Sequence, residues 1–154
     1  MEYKLPLFPY RFKIWGLLLL IVGLVFAYLY FWGGRPDFFK TKVFAFASVY
    51  MERRYFVPIQ TNLLDELGSI FSIVGITFIT FSKEKLELDS YNQLRLKAIV
   101  KSLFFTIAFW IFGIMVIYGS VIFLFSSLTF LVFLIGCYIM FKIELIRAGK
   151  NRIK

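Results

Sequence analysis

The sequence predicts an all-α fold, a polytopic membrane protein whose four transmembrane helices form one bundle, with a short outer interfacial helix and a cytoplasmic helical hairpin. Three observations lead there. The 154 residues are 60% hydrophobic and 21% aromatic, with a mean hydropathy of +0.80, where a soluble domain is roughly 45–50% apolar. Long stretches carry no charge. The basic residues gather at the ends of those stretches rather than being spread along the chain.

Each span follows from length and charge. Residues 14–32, IWGLLLLIVGLVFAYLYFW, are uncharged and reach the ~20 residues a helix needs to cross about 30 Å of hydrocarbon. A signal peptide is the competing reading, but Tyr28, Tyr30, Phe31 and Trp32 stand where a cleavage site wants small residues, so an uncleaved span is expected. The second span covers about residues 62–82. Its charge-free part, LGSIFSIVGITFITF, is short, which sets Asp65 and Glu66 at an interface. Ser102 to Phe141 is a run of 40 residues without charge, enough for two spans, about 98–118 and 122–142, with Tyr118-Gly119-Ser120 as the turn.

With four spans, both termini and the middle connector share one side and hold Lys4, Arg11, Lys13, Lys83, Lys85, Arg95, Lys97, Lys101, Lys142, Arg147, Lys150, Arg152 and Lys154, thirteen of the 18 basic residues. The positive-inside rule sets that side in the cytoplasm of a cell inner membrane. Orientation and anionic headgroups account for the net charge of +9, so nucleic acid is not an expected partner. The expected partners are the lipid bilayer and either a second copy of the chain or another membrane protein.

The connectors carry their own signals. GGRPD opens the outer one with turn residues and a helix-starting proline. Val43, Phe46 or Ala47, and Tyr50 then recur at helical spacing, which predicts the short interfacial helix; an irregular loop with aromatic anchors is the alternative. Thr61 or Asn62 can cap the second span. Small residues form one stripe per helix: Gly16, Gly23 and Ala27; Gly68, Ser72, Gly75 and Ser82; Ser102, Thr106, Gly113 and Ser120; Thr129, Gly136 and Met140. Helices in lipid associate through close approach at such residues, so the stripes predict a packed bundle, and a polar conduit is the alternative.

Catalytic chemistry finds little support. The chain has no histidine, which removes the commonest general base and metal ligand. Cys137 is the only cysteine, so no thiol pair exists. No phosphate loop or zinc-protease motif occurs. No enzyme activity, cofactor or metal is expected, and for an enzyme acting on lipid the acid and base candidates are scarce. Carboxylates remain, and Asp65 and Glu66 are candidates for ion or proton coupling in a small oligomeric transporter or pore. The opposing reading gives them to the helix dipole and to outer ion pairs with Arg53 and Arg54.

The polar stretch FSKEKLELDSYNQLR, residues 81–95, predicts the cytoplasmic hairpin. Lys83 with Glu87 and Lys85 with Asp89 are opposite charges four apart, which extends the second helix. Ser90 and Gln93 have the spacing of a capping box, which starts the third near Tyr91. Such a projection is either a plain connector or a docking surface, in which Lys83, Glu84, Lys85, Glu87, Asp89 and Arg95 are the candidate interaction residues. Exposed Leu86 and Leu88 favour docking, and the leading expectation is a non-enzymatic accessory or scaffold protein that makes its contacts through residues 83–97.

Phe81 to Lys85, Glu87, Asp89 and the Leu94-Arg95 pair entering a hydrophobic helix resemble a group of small uncharacterised membrane proteins of Bacteroidota. LPLFPYRFKIWGLLL and the KVFAF segment before TNLLDELG are similar to the same group, so the resemblance covers most of the chain. It implies a four-span inner-membrane protein of a Gram-negative cell, without an activity, substrate or cofactor.

Overall fold

A computed structural model describes residues 5–49, 53–118 and 121–151. Four α-helices dominate: α1 (Arg11–Phe31), α2 (Leu64–Thr80), α3 (Ser90–Val116) and α4 (Val121–Asn151). Three of them, α1 and the segments Ser90–Val116 and Leu124–Gly149, are long and apolar enough to span a membrane. Their surfaces invert the usual pattern of a soluble protein. Gly16, Gly23, Ser102, Thr106 and Gly113 are buried, whereas Leu24, Phe104, Phe112 and Phe130 are exposed. Lipid is as good a solvent for Leu and Phe as a protein core is, so packing is left to small residues.

One element departs from the helical expectation. Where the short interfacial helix was expected, β1 (Lys40–Val49) and β2 (Arg53–Asn62) form an antiparallel hairpin. Its register pairs Lys40 with Asn62, Val43 with Ile59 and Val49 with Arg53. The physical reason lies in KVFAFASV, where Phe and Ala alternate with period two between β-branched residues, a pattern that suits a pleated surface. Pro58, opposite Phe44, is tolerated because both strands of a two-stranded sheet are edges.

The chain divides into two compact units, Leu18–Val74 and Met1–Leu17 with Gly75–Lys154. In the first, α1 meets the start of α2 through glycine. A Cβ at Gly23 would lie 2.7 Å from the Ser72 backbone nitrogen, and one at Gly68 3.2 Å from that of Ala27. Phe26 packs on Phe71 and on Phe39, both at 5.7 Å between ring centroids. Of the two expected caps, Thr61 and Asn62, it is Asn62 that serves the start of α2, its Oδ1 accepting from the Leu64 amide at 3.1 Å.

In the second unit, α3 and α4 run antiparallel. The Ser102 hydroxyl donates to the Phe133 carbonyl at 2.9 Å, Gly136 lies against that hydroxyl, and Phe109 packs on Phe125 at 5.1 Å. The expected turn between them agrees with helix ends at Val116 and Val121; Gly119 and Ser120 lie outside the described residues. The end of α2 joins through Thr80, whose hydroxyl donates to the Leu134 carbonyl at 3.3 Å. A Cβ at Gly16 would fall 2.7 Å from the Gly75 carbonyl.

The expected helical hairpin of residues 83–97 is corrected in its first half. α2 ends at Thr80 and residues 81–89 are not helical. The Lys83 amide, which helix continuation would aim back along α2, donates instead to the Phe8 carbonyl at 2.9 Å, and the Phe8 amide donates to the Phe81 carbonyl at 3.0 Å. This strand-like bridge between Phe8 and Ser82 takes the chain out of the helix. α3 begins at Ser90, close to the expected start, but Asp89 stands at the N-cap and no side-chain hydrogen bond closes it.

Candidate functional site

Residues 81–89 form a loop that is held by three other segments. Phe8, Phe12 and Phe78 make an aromatic floor, with ring centroids 5.0 to 5.2 Å apart. Above it, Glu84 receives Lys13 from the start of α1 at 2.7 Å and Lys142 from α4 at 3.0 Å. Burial alone pushes the Glu84 carboxyl up, yet the hydrogen bonds from Lys13 and Lys142 outweigh it and hold the group below its ordinary 4.5. A carboxylate between two ammonium groups is thus a charged tie between three chain segments.

A second tie lies alongside. Arg95 of α3 is 4% exposed, and its guanidinium forks onto both oxygens of Glu87, with Nη2 donating to Oε2 at 3.1 Å and Nη1 donating to Oε1. Nη2 also donates to the Ser82 carbonyl at 3.3 Å, and the guanidinium lies 4.5 Å over the Phe141 ring of α4. Bidentate pairing and ring stacking are what a planar guanidinium does and an ammonium cannot. The same Glu87 carboxylate accepts the Glu84 amide at 2.7 Å, which folds the loop over itself. At the next turn, Lys101 of α3 pairs with Glu144 of α4, and Arg147 lies 3.7 Å from that carboxylate.

The consequence is an apolar projection on a fixed base. Leu86 is 81% exposed and Leu88 43%, and both sit between residues that the ion pairs immobilise. Of the expected interaction residues, the structure brings Glu84, Glu87 and Arg95 together, while Lys83, Lys85 and Asp89 are exposed around them. The pairs Lys83–Glu87 and Lys85–Asp89 that would have extended α2 are replaced by Glu84 and Glu87 reaching Lys13, Lys142 and Arg95. Sequence reasoning missed Lys13, Lys142, Phe141 and Phe8. The available signal was position, because Lys13 and Lys142 stand at the ends of the apolar runs of α1 and α4, as residues 81–89 do at the end of that of α2.

The other candidate group lies at the far end of α2. Asp65 and Glu66 stand in its first turn, where the helix dipole favours negative charge. Asp65 Oδ1 is buried and has no hydrogen-bond partner among the described residues. Arg53 and Arg54 belong to β2, but their side chains lie outside the described residues, so their expected pairing with the two carboxylates does too. Comparison with protein-family models, with curated proteins and with solved structures gives no match.

Proposed function

We propose that the chain is a non-enzymatic integral membrane protein, an accessory or scaffold subunit that binds a partner membrane protein through residues 83–97. The observation that carries this reading is the exposed pair Leu86 and Leu88 on a loop fixed by the Glu84 and Glu87 ion pairs. Large apolar side chains held in water are ready to be covered. A loop already ordered loses little conformational freedom when a partner covers it.

In this reading α2 is a fourth span. Its 17 residues give about 25 Å of helix, somewhat short of the hydrocarbon, and a short span is accommodated by local thinning or by flanking polar groups. Four spans return both ends to the basic side, which the charge distribution sets in the cytoplasm. The resemblance in residues 81–95 adds the inner membrane of a Gram-negative cell and kinship with the Bacteroidota group. The loop then faces the cytoplasm.

The test is affinity purification of the C-terminally tagged chain from native membranes in mild detergent. A stoichiometric partner that is lost in Leu86→Asp and Leu88→Asp, with helical content unchanged, is the expected result. Recovery of the chain without a stoichiometric protein, or retention of the partner in both variants, would sink the reading. One observation favours a second function: the buried Oδ1 of Asp65, without a hydrogen-bond partner among the described residues, suits a coupling carboxylate in an oligomeric transporter or pore. Proton or cation flux into liposomes that Asp65→Asn abolishes would support it, and wild-type liposomes without flux would refute it.

A further inference from the structure

The turn that leaves α1 contains an arginine where glycine would be the easier residue. Gly34 and Arg35 follow one another with φ of +73° and +52°. The left-handed region costs a residue with a Cβ roughly 1–2 kcal/mol, and a turn that needed only its backbone shape would be better served by a second glycine. The side chain is held as firmly as the backbone. Its Nε donates to the Tyr30 carbonyl at 3.2 Å, and the guanidinium carbon lies 4.2 Å from the centroid of the Tyr30 ring. With Nε engaged and one face on the ring, the two terminal nitrogens are presented as a fork, and no carboxylate pairs with Arg35 among the described residues.

That fork borders an open groove of about 460 Å³ lined by Tyr30, Arg35, Lys40, Gln60, Thr61 and Asn62. Two of the six are cations and none is acidic. Asp37 pairs with Lys40 at 2.6 Å but is 87% exposed and is not part of the wall. Asn62 is committed on both sides, donating to Pro36 and capping Leu64, so it fixes the wall of the groove. Gln60 and Thr61 add amide and hydroxyl groups. The groove lies just past the last turn of α1, where the sequence also carries Tyr28 and Trp32, which are 60% and 75% exposed. Exposed Tyr and Trp at the end of a spanning helix mark the headgroup layer.

We propose that this groove binds a phosphate group, with the Arg35 fork as the main ligand and Lys40 as a second charge. Phosphate matches a guanidinium fork in geometry and charge, and its level in the membrane makes the phosphodiester of an anionic lipid or a free phosphate the two sources. The test uses the full chain in a non-ionic detergent. Native mass spectrometry counts bound phosphatidylglycerol, and isothermal titration measures inorganic phosphate. One saturable equivalent of phosphatidylglycerol without saturable phosphate binding identifies the lipid; saturable inorganic phosphate identifies the free anion. In either case Arg35→Gln weakens binding by at least about tenfold, as loss of a charge-assisted hydrogen bond requires, and Arg11→Gln, at the other end of α1 and outside the groove, leaves it unchanged. Arg35→Gly separates ligand from fold, since glycine accepts the φ of +52° without strain and lacks the fork. Absence of saturable binding of both probes, or wild-type affinity in Arg35→Gly, overturns the proposal.

Discussion

Removing either partner of the Arg95–Glu87 pair breaks the same interaction, but burial predicts unequal costs. Arg95 is 4% exposed and Glu87 26%. In Glu87→Ala the guanidinium keeps, among the described residues, only the Ser82 carbonyl and the Phe141 face, and its buried Nε already has no partner among them. Breaking a buried pair in this way costs about 3–5 kcal/mol; the partial exposure of Glu87 sets the expectation near the lower bound. In Arg95→Met the apolar stem still packs and the carboxylate turns toward water, so the loss is the charge-assisted hydrogen bonding and the ring contact, about 1–2 kcal/mol. The double variant has no orphaned charge and is expected to be more stable than Glu87→Ala alone, although the bond from the Glu84 amide stays lost. Equilibrium unfolding in mixed micelles gives the three values, and hydrogen exchange of amides 82–88 reports whether the loop opens before the helices. If Arg95→Met is as costly as Glu87→Ala, the difference in burial does not decide the energetics and the reasoning fails.

Other expectations test the packing and the second tie. Gly23→Ala places a methyl 2.7 Å from the Ser72 nitrogen and is expected to cost about 1–3 kcal/mol by forcing α1 and α2 apart, read in the same unfolding assay. Gly136→Ala meets the Ser102 hydroxyl at 2.5 Å, so it destabilises the wild type yet is expected to be nearly silent in a Ser102→Gly background; equal cost in both backgrounds would place the clash elsewhere. Glu84 has a lowered pKa, so its contribution is fully present above the ordinary 4.5 and is lost as pH falls through the depressed value. Hydrogen exchange of residues 82–88 should therefore rise only on the acid side of 4.5, and Glu84→Gln should show that faster exchange at neutral pH.

What could be read from the sequence followed from composition and small-residue spacing. The long apolar runs gave α1, α3 and α4, and the glycines and serines gave the contact faces, because in lipid both depend on residue type along one helix. Gly23 meets Gly68 and Ser72, and Gly16 meets Gly75, as their stripes imply. The hairpin was misread because Val43, Phe46 and Tyr50 fit helical spacing over one short window. The Phe–Ala alternation from Phe44 to Ala47 was the better signal, and it needed a partner strand, β2, to become decisive.

The loop of residues 81–89 failed for a different reason, and that reason bears on its role. Pairs of opposite charge four residues apart are worth only about 0.2–0.5 kcal/mol on a solvated helix. The same glutamates find Lys13, Lys142 and Arg95 at positions distant in sequence and partly removed from water, where charge-assisted hydrogen bonds are roughly twice as strong as neutral ones. Local helix extension thus competes with tertiary pairing and loses. A helix would have turned Glu84 and Glu87 toward solvent and left Arg95 buried without a counter-charge, which is the more costly error. The geometry that gives Arg95 its counter-charge is the one that leaves Leu86 and Leu88 outside, so the exposure of the leucines is enforced by the burial of a charge and not by any preference of their own.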